Sequence, residues 1–114
     1  MAQFDVHRNP GRRTRNTIPF VVIVQSRIFD RAEPLRLVGP LYRANPLAGA
    51  HSNAWGSELA PRFDILGAVV VLYPLGLTQV PAAELGDAVA SLADDESAGR
   101  IIAAIDRVIS RAYG

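Results

Sequence analysis

The sequence predicts a mainly β, α+β protein: a small β-barrel or sheet closed by one C-terminal α-helix. Three observations carry this. Runs of β-branched residues bounded by Pro, Gly and Asn recur as far as Pro81. The apolar period turns helical only after Asp94. A chain of 114 residues without internal repeats also suits one domain over 1–114. A globule of this size hides only about two-thirds of its unfolded surface, so a second copy would help to cover its core.

The elements follow in order. Gln3–His7 sets Phe4 and Val6 on one side of a short strand, with His7 a partly exposed sheet residue. Asn9-Pro10-Gly11 is a turn signal that opens a polar arm, Arg12-Arg13-Thr14-Arg15-Asn16, expected as a mobile loop because it lacks an apolar anchor. Ile18–Gln25 is continuous and β-branched, the mark of a strand covered on both faces or packed in a barrel; Pro19 sits near its start, where a missing donor is tolerated. Leu35–Val38 with Leu41 reads as another short strand, interrupted by Gly39-Pro40. Tyr42–Pro61 is a long loop that Trp55 is expected to pin. Arg62–Leu66 and Ala68–Tyr73 form a hairpin about Gly67, and Leu77–Val80 ends at Pro81. A helical turn or two is expected within Glu84–Leu92.

Asp94-Asp95-Glu96-Ser97 brings a cap and acids to a helix start, where unpaired N–H groups and the dipole favour them. Ile101, Ile102, Ile105, Val108, Ile109 and Ala112 then recur on one face, with Arg100, Arg107 and Arg111 off it. Aspartate at Ile102 or Ile105 is accordingly expected to unfold the protein.

Composition excludes several functions. Without cysteine there is no disulfide framework, thiol nucleophile or thiolate metal site. The longest apolar run, Ile65–Tyr73, falls far short of the ~20 residues that cross a bilayer. The N-terminus shows no basic start before an apolar run, so a cytoplasmic protein without signal peptide is expected. His7 and His51 lack metal-ligand spacing, and no Gly-rich phosphate loop follows a strand. Ser26 has no His placed to serve it, and Asp94, Asp95 and Glu96 are better read as a solvated helix start than as acid–base groups. No catalytic residue, metal or cofactor is expected.

Charge is distributed unevenly. All 12 basic residues are Arg; residues 1–50 hold eight against three acids, and residues 51–114 hold four against eight. A basic half favours an acidic partner, although solvation of loops is the plainer reading. Arg12, Arg13 and Arg15 suit carboxylates or phosphates in bidentate pairs. No aromatic interleaves them for base stacking, so an acidic peptide suits the arm better than nucleic acid.

Gln3-Phe4-x-Val6, Val24-Gln25-Ser26 with Asp30, Arg36-Leu37-Val38-x-Pro40-Leu41, Leu59-x-Pro61, Val80-Pro81 and Ile101-Ile102-Ala103-Ala104-Ile105-Asp106 occur in the order found in CcdB toxins. The chain resembles that family along nearly its whole length. The resemblance implies an SH3-like, CcdB/MazF-like barrel with a C-terminal helix, working as a homodimer. It implies a non-enzymatic topoisomerase poison: the toxin of a type II toxin–antitoxin pair, which binds the A subunit of DNA gyrase and traps the cleaved-DNA complex. A cognate antitoxin would neutralise it through a disordered C-terminal segment, for which Arg12, Arg13 and Arg15 are charge-based candidates. Neither a membrane nor direct sequence-specific nucleic-acid binding is implied. The family's gyrase-facing positions fall on Ile28 and Phe29, and on Asp106, Ile109, Ser110, Arg111 and Ala112. The tail departs from the family, which commonly finishes with Gly and an apolar residue where this chain has Ser110-Arg111-Ala112 and runs on through Tyr113-Gly114. The alternatives are an endoribonuclease toxin on the same barrel and a non-toxic homologue that binds antitoxin.

Overall fold

A computed structural model describes residues 2–31, 34–44 and 58–111. Among them seven strands, β1 (Asp5–Arg8), β2 (Phe20–Ile23), β3 (Leu35–Arg43), β4 (Arg62–Ile65), β5 (Ala68–Leu72), β6 (Thr78–Pro81) and β7 (Ala90–Ser91), precede one helix, α1 (Asp95–Ile109). The strands form one antiparallel sheet in the order β4-β5-β3-β2-β1-β7, with β6 also paired to β3. The sheet curls into a nearly closed barrel, with α1 at the C-terminus. Trp55 and most of the long loop lie outside the described residues.

The β-branched run behaves as its composition requires. Every residue of β2 is buried. Phe20 and Val22 join the core that includes Val6, Leu41, Leu72 and Ile101, while Val21 and Ile23 pack on the opposite face with Val38 and Leu85.

β3 runs through Gly39-Pro40 without interruption. Along one edge, Leu35–Val38 pair with β6 and Leu41–Arg43 pair with β5. Pro40 falls at the change of partner, and its carbonyl accepts from the Tyr73 N–H (3.2 Å). Its missing donor therefore faces the gap between two strands instead of a ladder. Gly39 sits at a close approach, where a Cβ would lie 2.6 Å from Leu72 Cδ1 and would force that buried side chain to shift.

Other expectations need correction. β1 begins at Asp5 because Gln3 and Phe4 form a turn, with the Asp5 N–H donating to Ala2 O (3.1 Å). Phe4 takes a left-handed φ of 69°, a strain of about 1–2 kcal/mol for an L-residue, while its ring is buried in the core. His7 is buried, at 2% exposure, rather than partly exposed, with the chain at Gly86 against its ring: Nδ1 donates to Gly86 O at 2.8 Å. Glu84–Leu92 holds no α-helix. A 3-10 turn at Ala82–Glu84 gives way to extended chain, which β1 captures through Val89 N–H to Val6 O and Leu92 N–H to Phe4 O (both 2.8 Å). The arm is a hydrogen-bonded turn rather than an unanchored loop. Asn9 organises it: Nδ2 donates to Thr14 Oγ1 and Ile18 O (both 2.8 Å), and Oδ1 accepts from the Gly11 N–H (2.9 Å).

The hairpin from β4 to β5 turns on Leu66-Gly67, with φ of 52° and 81°. Such two-residue turns want Asn-Gly, and Leu66 is 62% exposed, so its side chain gains little from burial there. Leu66→Asn is expected to stabilise the protein by about 0.5–1 kcal/mol, read as a higher urea midpoint at unchanged slope.

α1 starts where the acids place it. Asp94 caps the helix, accepting from the Ser97 N–H at 2.9 Å. That hydrogen bond holds the Asp94 carboxyl below its ordinary value of 3.8. A lowered folded-state pKa means the cap's contribution is complete above the unfolded value and is lost as pH falls through the folded one. Asp94→Ala should therefore lower the thermal midpoint at neutral pH, with the difference from wild type narrowing as pH falls from the ordinary carboxylate value through the lowered value of the cap.

The apolar stripe of α1 is wider than the face it buries. Ile101 and Ala104 are buried, and Ala98 and Ile105 pack partly against the core. Ile102, Val108 and Ile109 are exposed, at 56%, 43% and 76%. At 3.6 residues per turn, Ile102 and Ile109 stack two turns apart along one edge, beyond the arc the sheet covers. Ile102 is thus not a core residue. Ala112 lies outside the described residues.

Candidate partner-binding surface

β2 leads into the first part of the surface. After Ile23, the Val24 N–H still donates to Leu37 O (3.0 Å), but the chain then leaves the sheet through Gln25 and Ser26 into a 3-10 turn, Arg27–Phe29. Phe29 N–H donates to Ser26 O and Asp30 N–H to Arg27 O, both at 3.1 Å. The turn buries none of its residues, so Ile28 is 80% and Phe29 56% exposed.

α1 supplies the second part. A groove of about 220 Å³ runs beside it, lined by Gln3, Phe4, Val24, Ile102, Ile105, Asp106 and Ile109. Gln3 is held there by Nε2 donating to Val24 O (3.1 Å). Val24 thus borders the groove at the point where the chain departs toward Ile28 and Phe29. α1 ends at Ile109; Ser110 is extended (φ −73°, ψ 130°), and Arg111 follows on the surface. The predicted positions Asp106 and Ile109 therefore meet in one groove, while Ile28 and Phe29 project from the turn that leaves its border.

Sequence reasoning missed Gln3, Phe4, Val24, Ile102 and Ile105 as groove residues. The periodicity of α1 places Ile102 on the apolar stripe but does not say which edge of that stripe the sheet leaves uncovered.

The arginine arm lies elsewhere, on the connection between β1 and β2. Arg12 and Arg13 are exposed. Arg15 folds back, its Nε donating to Asn9 O (3.1 Å) and its Nη2 to Pro10 O (3.4 Å). Arg43, at the end of β3, approaches the same turn by donating from Nε to Asn16 O (3.2 Å). These side chains present positive charge at one end of the barrel, with Arg15 partly committed to the turn itself.

Among the described residues no group of three or more His, Asp or Glu is placed to hold a metal ion. No helix among them is long and apolar enough to cross a membrane.

The family model described as CcdB protein matches residues 3–110. The chain belongs to the CcdB family. No curated protein matches it. Membership in the CcdB family supports its reading as the toxin of a toxin–antitoxin pair. The CcdB match also covers both parts of the surface, the Arg27–Phe29 turn and all of α1.

Proposed function

We propose that this CcdB-family protein is a cytoplasmic, non-enzymatic toxin, a single domain over 1–114 that works as a homodimer. It binds the dimerisation region of the DNA gyrase A subunit, trapping the cleaved-DNA complex. Ile28, Phe29, Asp106, Ile109, Ser110, Arg111 and Ala112 are the proposed gyrase contacts. A cognate antitoxin with a disordered C-terminal segment neutralises it, and Arg12, Arg13 and Arg15 attract that segment where it is acidic. The observation that carries this reading is the exposure of Ile28 and Phe29 on a hydrogen-bonded turn, since large apolar side chains left in water mark contact surfaces.

The test is induced expression in a gyrase-sensitive host beside one whose gyrase resists the toxin. Killing confined to the sensitive host is the expected result. Killing in both would replace gyrase with another target, and survival in both, with soluble protein confirmed, would leave a non-toxic homologue.

A further inference from the structure

The exposed turn needs something to hold it, because a 3-10 turn with no buried residue has no packing to fix its conformation. Gln25 supplies the hold from the strand side. The Leu37 N–H of β3 donates to Gln25 Oε1 (3.1 Å), so the side-chain carbonyl meets a ladder donor while the backbone turns away. The other end of the same amide reaches across the turn, Nε2 donating to Asp30 Oδ1 (3.0 Å). The orientation of the amide follows from its partners: a backbone N–H can only donate and a carboxylate only accept, so oxygen must face Leu37 and nitrogen Asp30. Asp30 is in turn 3.6 Å from Arg36 Nε, in an ion pair whose side chains are only 14% and 24% accessible. One amide thus ties the first and last residues of the Gln25–Asp30 segment to β3, with Ile28 and Phe29 between them.

We infer that Gln25 is a positioning residue for the partner contact, holding Ile28 and Phe29 in the conformation that a partner meets. This rests on the reading of Ile28 and Phe29 as contact residues. A preformed turn avoids the ordering cost that a loose one would incur on binding.

The test exploits the polarity of the bond. Gln25→Glu keeps an acceptor for Leu37 but sets a carboxylate oxygen against the Asp30 carboxylate, so the tie breaks. Asp30→Asn in the same chain supplies an amide donor to that oxygen and restores it with polarity reversed. Amide hydrogen exchange at Phe29 and Asp30 would be measured in the full chain, with affinity for the purified dimerisation region of the gyrase A subunit. Q25E is expected to speed exchange at both amides and to weaken binding about tenfold, the range of one hydrogen bond to a charged group. Q25E/D30N is expected to bring both part of the way back toward wild type, because Asp30→Asn regains the amide contact but not the ion pair with Arg36. Unchanged exchange in Q25E, or a loss that D30N does not reduce, would overturn the inference. If Q25E does not fold, Asp30→Ala removes the Nε2 acceptor while leaving the Leu37 bond, and should loosen the same amides. Ile28→Asp separates the two readings. If it binds gyrase as wild type does, or if wild type does not bind, the contact reading fails. Loss in Ile28→Asp with full affinity in Q25E overturns the positioning role alone.

Discussion

Ile101→Asp is expected to unfold the protein, and Ile102→Asp to leave it folded. The residues are adjacent, yet Ile101 is wholly buried and Ile102 is 56% exposed. Ile101 belongs to the core cluster with Phe4, Val6, Phe63 and Leu92. A carboxylate in its place would lose the burial of an isoleucine and stand among apolar side chains. The combined cost is on the order of 3–5 kcal/mol, a large part of the whole stability of a domain this small. Ile102 borders the groove, and aspartate there would remain in water. Far-UV circular dichroism and urea unfolding of both variants would check this. A folded Ile101→Asp would refute the packing of α1, and an unfolded Ile102→Asp would restore Ile102 to the core.

Ile28→Asp and Phe29→Ser are expected to abolish toxicity while leaving stability within about 0.5 kcal/mol of wild type, the usual range for surface changes. Neither side chain is buried, and the 3-10 turn is closed by backbone bonds and by Gln25, which the substitutions leave in place. Residues at the centre of an interface, by contrast, commonly contribute about 2 kcal/mol or more to binding, roughly thirtyfold in affinity. Growth after induction, read beside unfolding of the purified variants, separates the outcomes. Undiminished toxicity would remove both residues from the contact surface, and a large loss of stability would make them structural.

Ile28 and Phe29, which the structure shows exposed on the turn beyond β2, are singled out in the sequence by the CcdB resemblance alone. Asp30, quoted there only as part of a pattern with Val24-Gln25-Ser26, acquires a physical role as the acceptor for Gln25 Nε2. The groove was not legible, because Gln3, Phe4 and Val24 come from the start of the chain and the end of β2, whereas Ile102, Asp106 and Ile109 come from α1. No local pattern relates them. His7 illustrates the same limit: a polar residue on a strand, opposite in facing to Val6, reads as partly exposed, and only the fold brings Gly86, 79 residues away, against it.

By itself the sequence determined that strands precede one terminal helix, that Phe20–Ile23 is a strand, that a hairpin turns at Gly67 and that α1 starts at Asp94. Each of these depends on interactions within a few residues: steric preference, turn geometry, a cap on its own helix. Tertiary structure alone decided that β3 continues through Gly39-Pro40, that Glu84–Leu92 joins the edge of β1 instead of forming a helix, and that Ile101 rather than Ile102 enters the core. Those outcomes depend on which strand or face lies opposite, and periodicity within one segment carries no information about the width or position of its neighbour.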